Sequence, residues 1–159
     1  MDGDAKVIEF LNEQLTAELT AINQYFLHAK MQEDWGYTKL AAYTKAESID
    51  EMKHAEVLTD RILFLGGLPN YQKLSPLSVG ATVLEQLQAD MQLEISAVTR
   101  LRQGAEYMRS VSDITSAALF EEILADEEHH VDYLETQLEL IATLGEPLYL
   151  AQLIEQPSS

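Results

Sequence analysis

A five-residue motif occurs twice in this chain, and the spacing of its two copies constrains the fold more than any other feature. Residues 50–54 (DEMKH) and 126–130 (DEEHH) share the pattern D-E-x-x-H at an offset of 76 residues. At the same offset, Glu18 falls on Glu94, and the surrounding apolar residues also fall on apolar residues. We therefore expect a duplicated helical hairpin, with its two halves related by an approximate two-fold axis.

Four long segments show the spacing of apolar residues that is typical of one helical face, with an apolar residue every three or four positions. They are 4–34, 40–65, 82–110 and 114–144, and Asp113 is the predicted N-cap of the last. The join at residues 35–36 and the join before 114 are short, so the first and second helices, and the third and fourth, should form antiparallel hairpins.

The connection at residues 66–80 differs from the other joins, because it carries three glycines, two prolines and little periodicity. A helix of roughly 30 residues is about 45 Å long. A connection of this length reaches about 50 Å when extended, so it can run the whole length of a bundle. The pattern predicts an all-α fold, a four-helix bundle with one long crossover connection, formed as a single domain over residues 1–159.

Glutamates occupy the apolar stripes of the first and third predicted helices. Glu18 lies between Leu15, Leu19 and Ile22, and Glu94 lies in the corresponding position of its own stripe. A buried carboxylate costs several kcal/mol unless it is paired or metal-bound. These positions therefore indicate a positively charged partner inside the bundle.

Each D-E-x-x-H motif places a glutamate and a histidine three residues apart, so the pairs Glu51–His54 and Glu127–His130 each lie on one helical face. With Glu18 and Glu94 they supply four carboxylates and two imidazoles, which balance two divalent cations. Oxygen and imidazole ligands suit iron or manganese. The pattern predicts a di-metal centre; His28 and His129 are off these stripes and are expected to be surface or packing residues.

Composition excludes several other classes of protein. The chain has no cysteine, so thiolate metal sites, disulfides and cysteine nucleophiles are ruled out. Its net charge of -17 disfavours nucleic acid and anionic lipid surfaces as partners. The charge is explained either by solubility or by the attraction of metal cations. The sequence shows neither a signal peptide nor an apolar run long enough for a membrane helix, so we expect a soluble, cytoplasmic protein.

Four segments strongly resemble the bacterioferritin family: residues 11–36, ESIDEMKHAE (47–56), RILFLGGLPN (61–70) and ADEEHHVDYLETQLELI (125–141). The resemblance covers essentially the whole chain. It implies a ferritin-like bundle whose apolar segment 148–154, which follows a break at Gly145 and Pro147, forms a short fifth helix. It also implies a shell of 24 subunits that oxidises ferrous iron with O₂ or H₂O₂ and stores the ferric mineral, that is, a ferroxidase. The implied iron ligands are Glu18, Glu51, His54, Glu94, Glu127 and His130, with Glu51 and Glu127 bridging.

The resemblance also bears on residues that geometry alone leaves open. Met52 follows Glu51 by about 100° of helix rotation and must leave the bundle sideways, which by itself suggests ordinary packing. The family implies instead that Met52 ligates haem b, one sulfur from each of two subunits. Tyr25 lies two turns after Glu18 on the same face, where a tyrosine is usually a core residue. The family has a tyrosine near its di-iron centre, which implies that Tyr25 is a catalytic residue that supplies an electron or orders a ligand. Ala46 replaces a histidine of some family members, which makes an extra iron site on the cavity wall doubtful.

Haem in this family implies electron transfer from a reductase, expected to be of the ferredoxin type, so that stored iron can leave as ferrous ion. The shell is expected to be built from this subunit alone or together with a second kind. Two other functions stay open: a manganese catalase or small di-iron oxidase without storage, and a haem-carrying electron-transfer bundle with an inactive metal site. A nucleoid-binding mini-ferritin is disfavoured, because such proteins place their iron between subunits.

Overall fold

The structure is a computed structural model, and it describes residues 1–155. Four long helices form a bundle and a short fifth helix follows; the elements are α1 (Ala5–Asp34), α2 (Thr38–Phe64), α3 (Val83–Ser110), α4 (Ile114–Leu144) and α5 (Glu146–Ala151). Helix α1 packs against α2, α3 against α4, and α1 against α3. The predicted bundle with one crossover and a C-terminal fifth helix is confirmed. In the part of the chain described, no helix has the length and apolar character needed to cross a membrane.

The helix boundaries follow from local capping chemistry. The Asp4 carboxylate accepts hydrogen bonds from the backbone N–H groups of Lys6 and Val7 at the start of α1. At the start of α4, Asp113 accepts from the backbone N–H of Ser116, as predicted. These side chains satisfy N–H groups that have no partner inside the helix.

The fifth helix begins two residues earlier than the segment 148–154 indicated, and it ends at Ala151. Gly145 and Pro147 suggested an interruption, but only Gly145 interrupts the helix, with a φ of 81°. Pro147 lies in the first turn of α5, where its missing N–H would have no helical partner in any case. Proline therefore starts this helix rather than preceding it.

Two apolar clusters fill the bundle, one towards each end, and a buried polar layer separates them. One cluster includes Leu11, Leu58 and Phe120, and the other includes Leu40, Leu87 and Leu134. The described part of the chain buries 18 polar or charged residues, and all six predicted metal ligands are among them. A bundle of this kind has room for a polar centre because each apolar cluster packs on its own.

The crossover between α2 and α3 runs along α1 and is held by side chains one turn apart. Backbone N–H groups of Ser75, Ser78 and Gly80 donate to Thr20 Oγ1, Gln24 Oε1 and His28 Nε2 at 3.0, 3.0 and 3.1 Å. The other ring nitrogen of His28 donates to the Asp90 carboxylate at 3.0 Å, so this imidazole joins the crossover to α3. His28 is thus a buried packing residue, whereas His129 is exposed.

We expect His28→Leu to lower the free energy of unfolding by about 2–3 kcal/mol, because it leaves the Gly80 N–H and an Asp90 oxygen buried without this partner. The matched control His129→Leu removes an exposed imidazole and should change stability by no more than about 0.5 kcal/mol. Urea unfolding followed by far-UV circular dichroism measures both. Equal midpoints for the two variants would contradict this account of the crossover.

Candidate metal centre

All four long helices contribute to one buried cluster at the middle of the bundle. It is formed by Glu18 of α1, Glu51 and His54 of α2, Glu94 of α3, and Glu127 and His130 of α4; each side chain is buried. The helices bring these residues together because each lies on the inward stripe of its own helix, and the two E-x-x-H pairs are adjacent on theirs.

The six residues form two overlapping groups of four, each with its ligand atoms within 4.8 Å of one another. One group is Glu18, Glu51, His54 and Glu127, and the other is Glu51, Glu94, Glu127 and His130. Glu51 and Glu127 belong to both groups and therefore lie where a carboxylate could bridge two ions. The two groups are related in sequence by the 76-residue offset.

The imidazole Nδ1 atoms face the carboxylates. His54 Nδ1 lies 3.5 Å from Glu18 Oε2 and 3.2 Å from Glu127 Oε1. His130 Nδ1 lies 3.4 Å from Glu51 Oε1 and 3.7 Å from Glu94 Oε1. Both nitrogens thus point into the cluster rather than towards the surface.

Buried ligand atoms without a hydrogen-bond partner are concentrated in this cluster. Among the described residues, seven such atoms belong to the six cluster residues: Glu18 Oε2, Glu51 Oε1, His54 Nδ1, Glu94 Oε2, both oxygens of Glu127, and His130 Nδ1. Each unsatisfied buried polar atom costs roughly 1–3 kcal/mol. Their convergence, and the mixture of carboxylate oxygen with imidazole nitrogen, fit two divalent cations such as Fe²⁺ or Mn²⁺.

Protons partly compensate the negative charge in the metal-free chain. Burial disfavours the imidazolium of His54, but the nearby carboxylates of Glu127 and Glu18 outweigh burial and raise its pKa to about 11. At His130 burial also opposes charge, but the nearby carboxylates of Glu127 and Glu47 raise the pKa to about 9. The two protonated imidazoles stabilise the folded chain fully below pH 6.5, and this stabilisation is lost as the pH rises through about 9 and about 11.

The carboxylates respond to burial and to each other. Burial and the neighbouring Glu18 raise the pKa of Glu51 well above its usual range. Burial would also raise the pKa of Glu127, but the facing imidazoles of His130 and His54 lower it to about 2. Glu47, which sequence analysis did not single out, is buried beside the cluster, and burial raises its pKa to about 7. The carboxyl groups of the cluster therefore differ widely in their affinity for a proton.

The structure places Tyr25 in direct contact with the cluster. Its hydroxyl donates a hydrogen bond to Glu94 Oε1, and the side chain is buried. Burial and the charge of Asp90 raise the pKa of Tyr25 well above its usual value of 10, so the phenol keeps its proton. Tyr25 is thus both a buried core residue and a direct neighbour of a predicted metal ligand.

Met52 lies outside the cluster, as its position one residue after Glu51 indicated. Its side chain is 55% exposed on the outer surface of α2. The side chain of Ile49, one turn before it, is 45% exposed. The exposed Phe26 of α1 lies one turn after Ile22, whose carbonyl accepts a hydrogen bond from Ser48 on α2. Ala46 is also exposed and offers no ligand atom.

Two openings lead to the cluster on different sides of the bundle. A cavity of about 400 Å³ between α2 and α4 is lined by both histidines of the cluster and by Asp50, Asp126 and His129. A second cavity of about 230 Å³ is lined by residues of α1, α3 and the crossover, including Gln14 and Arg100, and reaches Glu51, Glu94 and Glu127.

The sequence analysis did not identify the residues that contact the ligand side chains on the side away from the cluster. Gln14 Nε2 donates to Glu18 Oε1 at 2.8 Å, and Asp126 Oδ2 lies 2.8 Å from His54 Nε2. The signal for Gln14 was available, since it lies one helical turn before Glu18 on the same stripe. Asp126 has a weaker signal, because it is adjacent to a ligand position and its side chain is largely exposed.

The comparisons with known proteins agree with this fold. A sequence model described as the ferritin-like domain matches residues 8–144, which places the chain in the ferritin-like class. The bacterioferritin of Streptomyces coelicolor is 69% identical over 156 residues, covering 98% of this chain and 93% of that relative. The bacterioferritin of Mycobacterium bovis is 59% identical, covering 99% of each.

A solved structure of Mycobacterium tuberculosis bacterioferritin, BfrA, superimposes with a TM-score of 0.97 at 58% identity and covers all of both chains. A solved mycobacterial bacterioferritin superimposes with a TM-score of 0.98, also at 58% identity, covering 100% of this chain and 99% of the other. The chain belongs to the bacterioferritin family.

We expect cation binding to release at least two protons per chain at pH 7. His54 and His130 are protonated there, with pKa values of about 11 and about 9, and a metal requires the neutral imidazole. Affinity for each ion should fall about tenfold per pH unit below pH 9, because protons compete for these nitrogens. Calorimetric titration with Zn²⁺ in buffers of different ionisation enthalpy measures the release; its absence at pH 7 would contradict this protonation state.

Proposed function

We propose that this chain is the subunit of an iron-storing shell and that its buried cluster is a ferroxidase centre. The observation that carries the proposal is the convergence of seven unpaired ligand atoms in two overlapping groups that share Glu51 and Glu127. Membership of the bacterioferritin family supports iron as the metal and storage as the purpose. The proposed iron ligands are Glu18, Glu51, His54, Glu94, Glu127 and His130, all within one domain.

The shared carboxylates give the centre its proposed chemistry, because they hold two ferrous ions close enough to react with one oxidant molecule. Each ion loses one electron, so that two Fe²⁺ and O₂, with two protons, give two Fe³⁺ and H₂O₂. With H₂O₂ as oxidant, the same two electrons and two protons give two molecules of water. A paired site thus avoids the release of a one-electron oxygen radical.

The side chains of the cluster have distinct proposed roles. Four carboxylates favour the higher charge that develops on iron, and two neutral imidazoles limit the excess of negative charge. Tyr25 holds its proton on the hydroxyl that donates to Glu94, which orders that carboxylate and places an oxidisable ring beside the centre. The cavity between α2 and α4 offers a path for iron between solvent and ligands, bordered by Asp50 and Asp126.

Haem b is the second proposed cofactor, with Met52 as its ligand. The exposed thioether of Met52, with the exposed apolar side chain of Ile49 one turn before it, fits the axial donor and apolar surface that a haem between two subunits needs. When bound, haem would conduct electrons inward from a ferredoxin-type reductant and so let stored iron leave as Fe²⁺. The exposed Ala46 gives no support to a further iron site at that position.

The proposed assembly is a cytoplasmic shell of 24 subunits, made of this chain alone or with a second subunit type. A native mass near 24 times the 17.9 kDa chain would support it. A small oligomer that oxidises iron would instead favour a di-metal oxidase or catalase without storage.

We expect a rapid phase of ferrous oxidation that saturates near two irons per chain. Glu18→Gln and His130→Ala should each slow it at least about tenfold, because each removes a ligand of one ion. Exposed residues of the same two helices provide controls, Glu13→Gln and Glu139→Ala, which should leave the phase unchanged. Stopped-flow absorbance after mixing Fe²⁺ with oxygen measures all five proteins; a slow phase that none of the variants alters would favour a haem carrier with an inactive metal site.

We expect Met52→Leu to abolish the absorption and circular dichroism bands of bis-methionine haem while the assembled mass stays the same. Leucine keeps the apolar surface but has no sulfur donor, so only ligation is lost. Met31→Leu is the control, since Met31 is partly buried and contacts Gln86. Retention of bis-methionine haem in Met52→Leu would show that the ligand is another residue.

A further inference from the structure

The residues that support the metal ligands break the two-fold repeat of the ligands themselves. The offset of 76 residues relates Glu18 to Glu94 and His54 to His130. The side chains behind these two pairs differ in kind and in contacts. The two ion positions, equal in their ligands, therefore differ in how firmly the ligands are held.

Glu18 is oriented from behind by a buried amide. Gln14 Nε2 donates to Glu18 Oε1 at 2.8 Å, and the Gln14 carbonyl accepts from Arg100 Nη1 at 3.3 Å. Because a guanidinium can only donate, the amide of Gln14 must present its NH₂ group to Glu18. Glu18 Oε2 is left unpaired and lies 3.5 Å from His54 Nδ1, inside the cluster.

His54 is oriented by a carboxylate. Its Nε2 lies 2.8 Å from Asp126 Oδ2, and an ionised carboxylate can only accept, so the Nε2 atom carries a proton. The Nδ1 atom then faces the cluster as the metal-binding nitrogen. A carboxylate behind a ligating histidine fixes both its tautomer and its ring orientation.

In the other half of the cluster a buried side chain holds the glutamate, but no described side chain holds the histidine by a hydrogen bond. Asp90, which corresponds to Gln14 in the repeat, accepts hydrogen bonds from Gln24 and His28 at 2.8 and 3.0 Å. Asp50 corresponds to Asp126 in the repeat, but in the part of the chain that the structure describes its side chain makes no hydrogen bond to His130. Glu94 receives its hydrogen bond from Tyr25 instead.

We propose that Gln14 and Asp126 are positioning residues that make the Glu18–His54 position the tighter of the two cation sites and the first to fill. This inference rests on the proposed di-metal centre and adds an order of binding to it. At the Glu18–His54 position both the glutamate and the histidine are already held, whereas at the other position only Glu94 is held, so the first position loses less side-chain freedom when a cation binds. The Glu94–His130 position is then the one that fills second and empties first.

Titration of the metal-free assembled protein with Co²⁺, followed by visible absorption and calorimetry, tests the order of binding. The native protein should bind two ions per chain in two resolved steps. Asp126→Ala should weaken the tighter step about 10- to 100-fold. Asp126→Asn should lose less, since its amide oxygen can still accept from His54 Nε2, and Gln14→Leu should also weaken the tighter step.

Asp50→Ala is the matched control, because it removes the repeat partner of Asp126 and should leave the tighter step and its Co²⁺ spectrum unchanged. Equal effects of Asp50→Ala and Asp126→Ala, or indistinguishable steps in the native protein, would overturn the inference. Binding of fewer than two ions by the native protein would instead overturn the di-metal centre itself. Thermal unfolding of each metal-free variant separates loss of positioning from loss of fold, and Gln14→Leu keeps the test available if an Asp126 variant does not assemble.

Discussion

Four buried carboxylates at the centre of the bundle are the constraint on which the rest of this structure depends. Glu18, Glu51, Glu94 and Glu127 are each no more than 2% exposed, and such a concentration of negative charge is unstable without a positive partner. In the metal-free chain the partners are protons on His54 and His130, whose pKa values rise to about 11 and about 9. The centre is thus held together by exchangeable positive charge, and this makes it a site that divalent cations can enter by displacing protons.

A polar centre of this kind has to be supported by polar packing around it. The two apolar clusters lie on either side of the centre, and the crossover closes one face through Thr20, Gln24 and His28 of α1. Each of these three residues lies one helical turn after the last, and each accepts a backbone N–H of the crossover. Asp90 then ties Gln24 and His28 to α3. The long connection is therefore part of the wall of the site, beyond its role in joining α2 to α3.

Periodicity and the repeat were enough to predict the helices, the crossover and the set of six converging residues. Apolar spacing reports which face of a helix is buried, and α4 has the predicted bounds of 114–144. The supporting contacts could not be predicted in the same way. Whether His28 is surface or buried depends on where the crossover lies, and the pairing of Asp126 with His54 depends on the distance between two helices that are not adjacent in sequence. The start of α5 was misplaced because Pro147 was taken as a break when it is a first-turn residue.

Helix α2 contributes adjacent residues to the two proposed cofactor sites, and these residues point in different directions because of the helical rotation between them. Glu51 points inward as a shared carboxylate of both groups, and Met52, about 100° further round, is exposed on the outer surface. A haem bound at Met52 and ions bound at Glu51 would therefore be held by adjacent residues of one rigid helix, so their separation would vary little as the protein moves. Electron transfer depends on such a fixed separation, whereas cation exchange depends on ligands that can move. Helix α2 carries both donors, Glu51 and Met52. Gln14, Arg100 and Asp126, which support only one of the two ion positions, lie on α1, α3 and α4.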